Sequence, residues 1–235
     1  MRKFLVLLLI AIISVSCQEE NTKETMMVTG NIKGLKKGTL YLQHIKDTSL
    51  TTVDSLEISG DGNFSLQAQL ESPEIFYLYL NKKDNNDIND RITFFGEPGT
   101  ITINTSWNTF DTNSKIDGSA TQKKWEEYQE TMSQFNLKDL EIIQTARNTE
   151  LNLNELQVDS LINLSEKNVL RSYLYAINFA LTNSDSYIAP YIALNEVADA
   201  NKIYLDSIAN TMTPEVADSK YGKALLAHLD KQKKN

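Results

Sequence analysis

Gly60-Asp61-Gly62-Asn63-Phe64-Ser65-Leu66-Gln67-Ala68-Gln69-Leu70 places a glycine-flanked Asp-Gly turn directly before a strict alternation of apolar and polar residues. Successive side chains on a strand point to opposite faces, so Phe64, Leu66, Ala68 and Leu70 share one buried face. The Asp-Gly pair is a strong hairpin signal. On either side lie similar segments: Leu40-Tyr41-Leu42, Val53 to Ile58, Ile92 to Phe95 and Thr100 to Ile103, all rich in β-branched and aromatic residues. Ile75-Phe76-Tyr77-Leu78-Tyr79-Leu80 is denser and reads as a central strand. Gly34-Leu35-Lys36-Lys37-Gly38 and Glu97-Pro98-Gly99 are turns of other kinds. Residues 26–118 are therefore expected to form an antiparallel β-sandwich or partial barrel.

The period changes after Gly118. Ser119-Ala120-Thr121-Gln122 has the spacing of a capping box. Beyond it glycine nearly disappears, and residues 119–235 read as an α-helical region. Helices are expected at about 120–135, 137–150, 154–182, 186–197, 199–211 and 214–233, from apolar stripes spaced by three or four residues. Thr213-Pro214-Glu215 reads as a helix start with Pro at the first position. The third helix is a candidate for a break near Asn168. Trp125 is expected to pack helix against sheet. The fold class is α+β, and the lack of a flexible linker at Gly118-Ser119 favours one shared core.

The chain opens Met1-Arg2-Lys3, continues with an apolar run from Phe4 to Ile13, and reaches Ser14-Val15-Ser16-Cys17. Charge, a short apolar stretch and small residues describe a secretory signal over residues 1–16. The run is shorter than the ~20 apolar residues needed to cross a bilayer. Cys17 is the sole cysteine and stands where a bacterial lipoprotein carries its lipid. Acyl chains there are expected to hold the protein to a membrane. Residues 17–25, polar and acidic, read as a tether. Gln18 stands where Asp would retain the protein at the inner membrane, and Glu19-Glu20 resembles a surface-export signal. The expected location is the outer membrane, facing periplasm or cell surface.

Removing residues 1–16 takes Arg2 and Lys3 with it. The 21 remaining basic residues then face 31 acidic ones, and the net charge deepens from −8 to about −10. Such a surface repels phosphates, so no nucleic-acid partner is expected. With the one cysteine assigned to lipid, no internal disulfide is expected either.

Val28-Thr29-Gly30-Asn31-Ile32-Lys33-Gly34-Leu35 and Gly38-Thr39-Leu40-Tyr41-Leu42 resemble the opening of a β-rich domain of unknown function. That domain is common in Bacteroidetes-type lipoproteins, where it often precedes a thioredoxin-like domain. Asp61 to Leu66 and Pro98 to Ile103 are similar to its later hairpins, and Lys115 to Ser119 to its closing strand. Ser186 to Tyr191 and Ser219 to Leu225 resemble the linker helices of those longer proteins. The resemblance rests on turns and core positions. It implies a redox partner domain, yet no Cys-x-x-Cys pair is present, so thiol–disulfide chemistry is not expected.

Candidate site residues are few. His44 and His228 lie far apart in sequence, and a zinc site needs about four ligands, so both read as ordinary histidines. Asp84-Asn85-Asn86-Asp87-Ile88-Asn89-Asp90 gathers oxygen ligands without calcium-loop spacing. No metal or other cofactor is expected. Trp107 and Phe110, with Tyr77 and Tyr79 nearby in sequence, form a candidate aromatic platform for a sugar or peptide; the two tyrosines read rather as core. Asp54-Ser55-Leu56, Asp159-Ser160-Leu161 and Asp206-Ser207-Ile208 resemble an O-glycosylation signal. There is no nucleophile elbow and no phosphate-cradling loop. The expectation is a non-catalytic envelope lipoprotein that binds another envelope protein, a peptide or a glycan. The alternatives are an accessory subunit of an envelope assembly and an unrecognised hydrolase.

Overall fold

In the computed structural model, which describes residues 24–82 and 91–232, the alternation becomes two four-stranded sheets. In chain order the strands are β1 (Glu24–Lys33), β2 (Lys37–Lys46), β3 (Ser49–Ser59), β4 (Asn63–Leu70), β5 (Glu74–Asn81), β6 (Arg91–Gly96), β7 (Gly99–Ser106) and β8 (Lys115–Asp117). One sheet has the order β4-β1-β7-β8, the other β3-β2-β5-β6. In β4 the four apolar residues are buried and the four between them exposed. Met26, Val28, Leu40, Leu42, Leu66, Phe76, Leu78, Phe94, Ile101 and Ile103 meet between the sheets in one core. The domain is a sandwich with no closed barrel. One pairing departs from the expected antiparallel scheme: β1 runs parallel to β7, with Val28 opposite Ile101. β1 also starts at Glu24, so the last two residues of the expected tether are already paired with Leu70 and Gln69.

The Asp-Gly turn does not make a hairpin. β3 pairs with β2 in one sheet and β4 with β1 in the other. The reason lies in β1. Ile32 N donates to Gly62 O at 2.9 Å, and Asn31 Nδ2 to Asp61 O at 3.0 Å. Gly62 has φ +79°, and a Cβ there would stand 2.2 Å from Ile32 O. The turn thus hands the chain from one sheet to the other, and only glycine permits the approach. Across this corner the Asp54 carboxylate on β3 accepts from Gln67 N on β4 at 2.8 Å.

Six helices follow: α1 (Ala120–Arg147), α2 (Glu155–Thr182), α3 (Ile188–Asn195), α4 (Lys202–Thr211), α5 (Pro214–Asp218) and α6 (Lys220–Gln232). Where two helices were expected over 120–150 there is one of 28 residues, because Asn136-Leu137 contains no breaker and the cap comes at Asn148. α2 runs unbroken through Asn168, whose Nδ2 leaves the helix to donate to Phe135 O on α1 at 2.8 Å. α4 starts later than expected because Asn201 caps it, accepting from Ile203 N at 3.0 Å. The expected last helix is two, divided at Ser219. Its backbone is extended, and its Oγ donates to Val216 O and accepts from Gly222 N.

The capping box is half made. Ser119 Oγ accepts from Gln122 N at 2.9 Å, but Gln122 Oε1 turns away to accept from Phe95 N at 2.8 Å. That bond ties the start of α1 to the outer edge of β6. A second core gathers here. Ile75 and Phe95 point away from the sandwich interior and join Trp125, Ala189, Ile192, Leu205 and Leu225. Trp125 packs edge-on to Phe95, with ring centroids 5.6 Å apart, so it joins helix to sheet as expected. Strands β5 and β6 therefore serve both cores.

Candidate functional site

Leu40-Tyr41-Leu42 and Leu78-Tyr79-Leu80 follow one rule: leucines face the sandwich core and tyrosines the opposite side of the second sheet. β2, β5 and β6 are neighbours, so Tyr41, Tyr79 and Arg91 stand in one row across that outer face. The tyrosine rings stack with centroids 6.0 Å apart. The Arg91 guanidinium lies over Tyr79 and Tyr77 at 5.7 and 5.4 Å from their centroids. The next row holds Gln43, Tyr77 and Thr93. Tyr77 packs against the helical core, so the platform emerges from under the helices. Gln43 Oε1 and Arg91 Nε are buried with no hydrogen-bond partner among the described residues. A flat, half-buried surface of rings and planar polar groups results, able to take an apolar ring face while hydrogen-bonding its rim.

A charged joint lies at another corner of the same sheet. Glu74 is buried, and its carboxylate accepts from His44 Nδ1 at 3.2 Å and from the Lys220 ammonium. Lys220 Nζ also donates to Ile45 O at 2.7 Å, and its backbone N to Ser72 Oγ at 3.0 Å. The His44 ring stacks on Phe76, 5.3 Å between centroids. These groups line a cavity of about 410 Å³ with Lys46, Asp47, Glu71 and Lys223. The start of α6 is thereby clamped to β2 and β5. An acidic cleft of about 380 Å³ lies alongside, lined by Glu24, Glu71, Glu97, Glu215 and Asp218. Tyr187 opens on it, and burial, then the carboxylates of Glu215, Glu24 and Glu97, push its hydroxyl pKa up. Among the described residues no group of three His, Cys, Asp or Glu is arranged to hold a metal ion.

The aromatic residues singled out in the sequence separate in space. Trp107 is half exposed at 46%. Its ring lies over the Gly34 backbone, where a Cβ would come within 2.7 Å of Cδ1, and Lys82 Nζ stands 5.7 Å from its centroid. Phe110 is wholly buried in the sandwich core and offers nothing to a ligand; Thr105 Oγ1 donates to its carbonyl at 2.9 Å and fixes the loop. Tyr77, read as core, does pack against the helical core, whereas Tyr79, read the same way, belongs to neither core and lies on the outer face. Tyr41 and Arg91 were missed altogether. The Leu-Tyr-Leu alternation was the available signal, but it does not say which strands are neighbours. His228 meets Ala198 O at 3.1 Å and Gln232 Nε2 at 3.0 Å, partners unrelated to those of His44. Cys17 and the Asp84–Asp90 cluster lie outside the described residues. Among the described residues no helix is long and apolar enough to cross a membrane.

Residues 26–125 match a family described as a domain of unknown function, DUF4369. The match spans the sandwich and the first residues of α1. No thioredoxin-like domain is detected in these 235 residues. No curated protein and no solved structure matches the chain.

Proposed function

We propose that this chain is a non-catalytic binding protein of the cell envelope, held to the outer membrane by lipid on Cys17, with the outer face of the second sheet as its ligand surface. The observation that carries the binding reading is the row Tyr41–Tyr79–Arg91, two stacked rings and a guanidinium on one open face. Its chemistry suits a glycan. A sugar ring lays its C–H face on an aromatic ring, and its hydroxyls bond to planar side chains at the rim. The anchor rests on the apolar run of residues 4–13 and on Cys17 at its polar boundary.

A glycan-array screen followed by calorimetry tests the ligand. Tyr79→Ala and Tyr41→Ala should each weaken a captured glycan roughly tenfold or more, as expected for losing an aromatic anchor, with the melting temperature nearly unchanged. Binding that survives both substitutions removes this face from the function. Capture of peptides alone moves the ligand class to peptides. Metabolic labelling with an alkyne fatty acid tests the anchor: label should disappear in Cys17→Ala, and an unlabelled wild-type chain refutes lipidation.

A further inference from the structure

Arg91 ends the row that passes through Tyr41 and Tyr79, on the edge strand β6. Two rings hold its guanidinium, Tyr77 at 5.4 Å and Tyr79 at 5.7 Å from their centroids. Stacking orients the plane of the fork without using its hydrogens. Nε is covered, so the two Nη groups are the donors left for a ligand.

The charge around this fork is one-sided. Acidic residues outnumber basic ones 31 to 23 in the chain, and Lys124, Lys138, Lys202, Lys220 and Lys223 each stand in an ion pair. Among the described residues no carboxylate stands within ion-pair distance of Arg91. Three rows of side chains cross the open face from β3 to β6. Their described members carry one other charge, Glu57, opposite Thr39. It lies on the far edge strand, three strand spacings or about 14 Å away. That exceeds the Debye length of about 8 Å at physiological salt. Of the described charges on these rows, Arg91 therefore sets the potential beside Tyr79.

We propose that the ligand of this face is a carboxylated sugar, its pyranose ring seated on Tyr41 and Tyr79 and its carboxylate in the Arg91 fork. This rests on the aromatic row being the ligand surface, and adds the charge of what that surface holds. In a uronic acid the carboxylate stands on the rim of the ring whose face lies against an aromatic residue. The row sets rings and cation side by side in the same way. A carboxylate offers two oxygens to the two-pronged guanidinium and carries one charge, which one arginine balances. A phosphate carries about −1.5 to −2 at pH 7 and would leave negative charge over in a chain that is already acidic.

Matched oligosaccharide pairs test the charge: glucuronate against glucose, galacturonate against galactose, mannuronate against mannose, and sialylated against asialo galactosides. Each is titrated by calorimetry into the full chain in detergent. In at least one pair the acid should bind roughly tenfold tighter or more than its neutral partner. Methyl esterification of that acid should remove the preference with the protein left untouched, and raising NaCl from about 0.05 to 0.5 M should shrink it. In Arg91→Gln the ratio of acid to neutral affinity should fall to about one. In Arg91→Lys, which keeps the charge and loses the fork, the ratio should be intermediate. Neutral sugars bound as tightly as their acids, and lost with Tyr79→Ala, overturn the carboxylate and leave the aromatic row as the ligand surface. An acid preference that survives esterification or Arg91→Gln overturns it as well. Capture of no sugar of either kind overturns both readings.

Discussion

Phe94 and Phe95 are adjacent on β6 and belong to different cores. Phe94 lies between the sheets among methionine, valine, isoleucine, leucine, alanine and phenylalanine. Phe95 lies under the helices, where Trp125, Tyr191 and Tyr221 surround it. The difference follows from backbone accounting. Between two sheets, the ladders satisfy the peptide groups and the filling side chains need no polar atoms. Where helices dock on a sheet, strand ends and edges stay open. Ile75 lies beyond the end of the β2 pairing, and its N donates to Tyr221 Oη at 3.2 Å. Phe95 N on the edge strand takes Gln122 Oε1. One tyrosine of the helical core, Tyr221, thus completes the sheet with its hydroxyl.

The sharpest way to separate the two cores is to cut each from the same strand. Phe94→Ala and Phe95→Ala should each cost about 3–5 kcal/mol as fully buried aromatic truncations. Hydrogen exchange should show Phe94→Ala loosening β1, β4 and β7, and Phe95→Ala loosening α1 and α3 while those strands stay protected. If both variants lose protection everywhere together, the two cores are one cooperative unit and the contrast fails.

Alkali should act on one core alone. Burial, then the Glu196 carboxylate, pushes Tyr191 from 10.0 up to about 12, and burial raises Tyr128 and Tyr221 further. A hydroxyl whose folded pKa is raised contributes stability that is whole below the unfolded value of 10.0 and is lost as pH rises through the folded one. Helical signal should therefore fall between roughly pH 10 and 12, ahead of the sandwich, and Tyr191→Phe should flatten that slope. A titration in which strand and helix signals fall together breaks the comparison.

The smallest effect is expected at the joint. Lys220→Ala removes the cation from Glu74, a carboxylate with 9% side-chain exposure. Because Lys220 itself is 39% exposed, the cost should be only about 1–2 kcal/mol. It should appear as faster exchange at the start of α6, with the sandwich unchanged. A loss matching that of Phe95→Ala would make the joint as important as the apolar contact.

The Leu-Tyr-Leu triplets and the alternation of β4 were enough to mark strands and their inward faces, because a period of two is a local property. Trp125 was legible for a similar reason: a large ring on the first turns after a strand run has a sheet to meet. Asp61-Gly62 was misread because turn chemistry states that the chain reverses, while its hydrogen bonds to Asn31 and Ile32 come from a strand thirty residues away. Phe110 was misplaced because nothing beside it in sequence reveals that its loop folds back over the core. Helix ends fared worse than helix existence, since Gln122 and Asn168 spend their side chains on other elements.

Local pattern by itself determined the order of the chain: an apolar run from Phe4 to Ile13 ahead of Cys17, a run of strands, then helices from Ser119, and an excess of acidic residues. These depend on charge, on periods of two and of three to four, and on neighbours within a few residues. Tertiary structure alone decided which strands share a sheet, that Tyr41, Tyr79 and Arg91 form one row, and that His44 and Lys220 meet on Glu74. Each of these joins residues from separate elements, and strand order and helix docking are fixed by the closure of the whole core rather than by any segment within it.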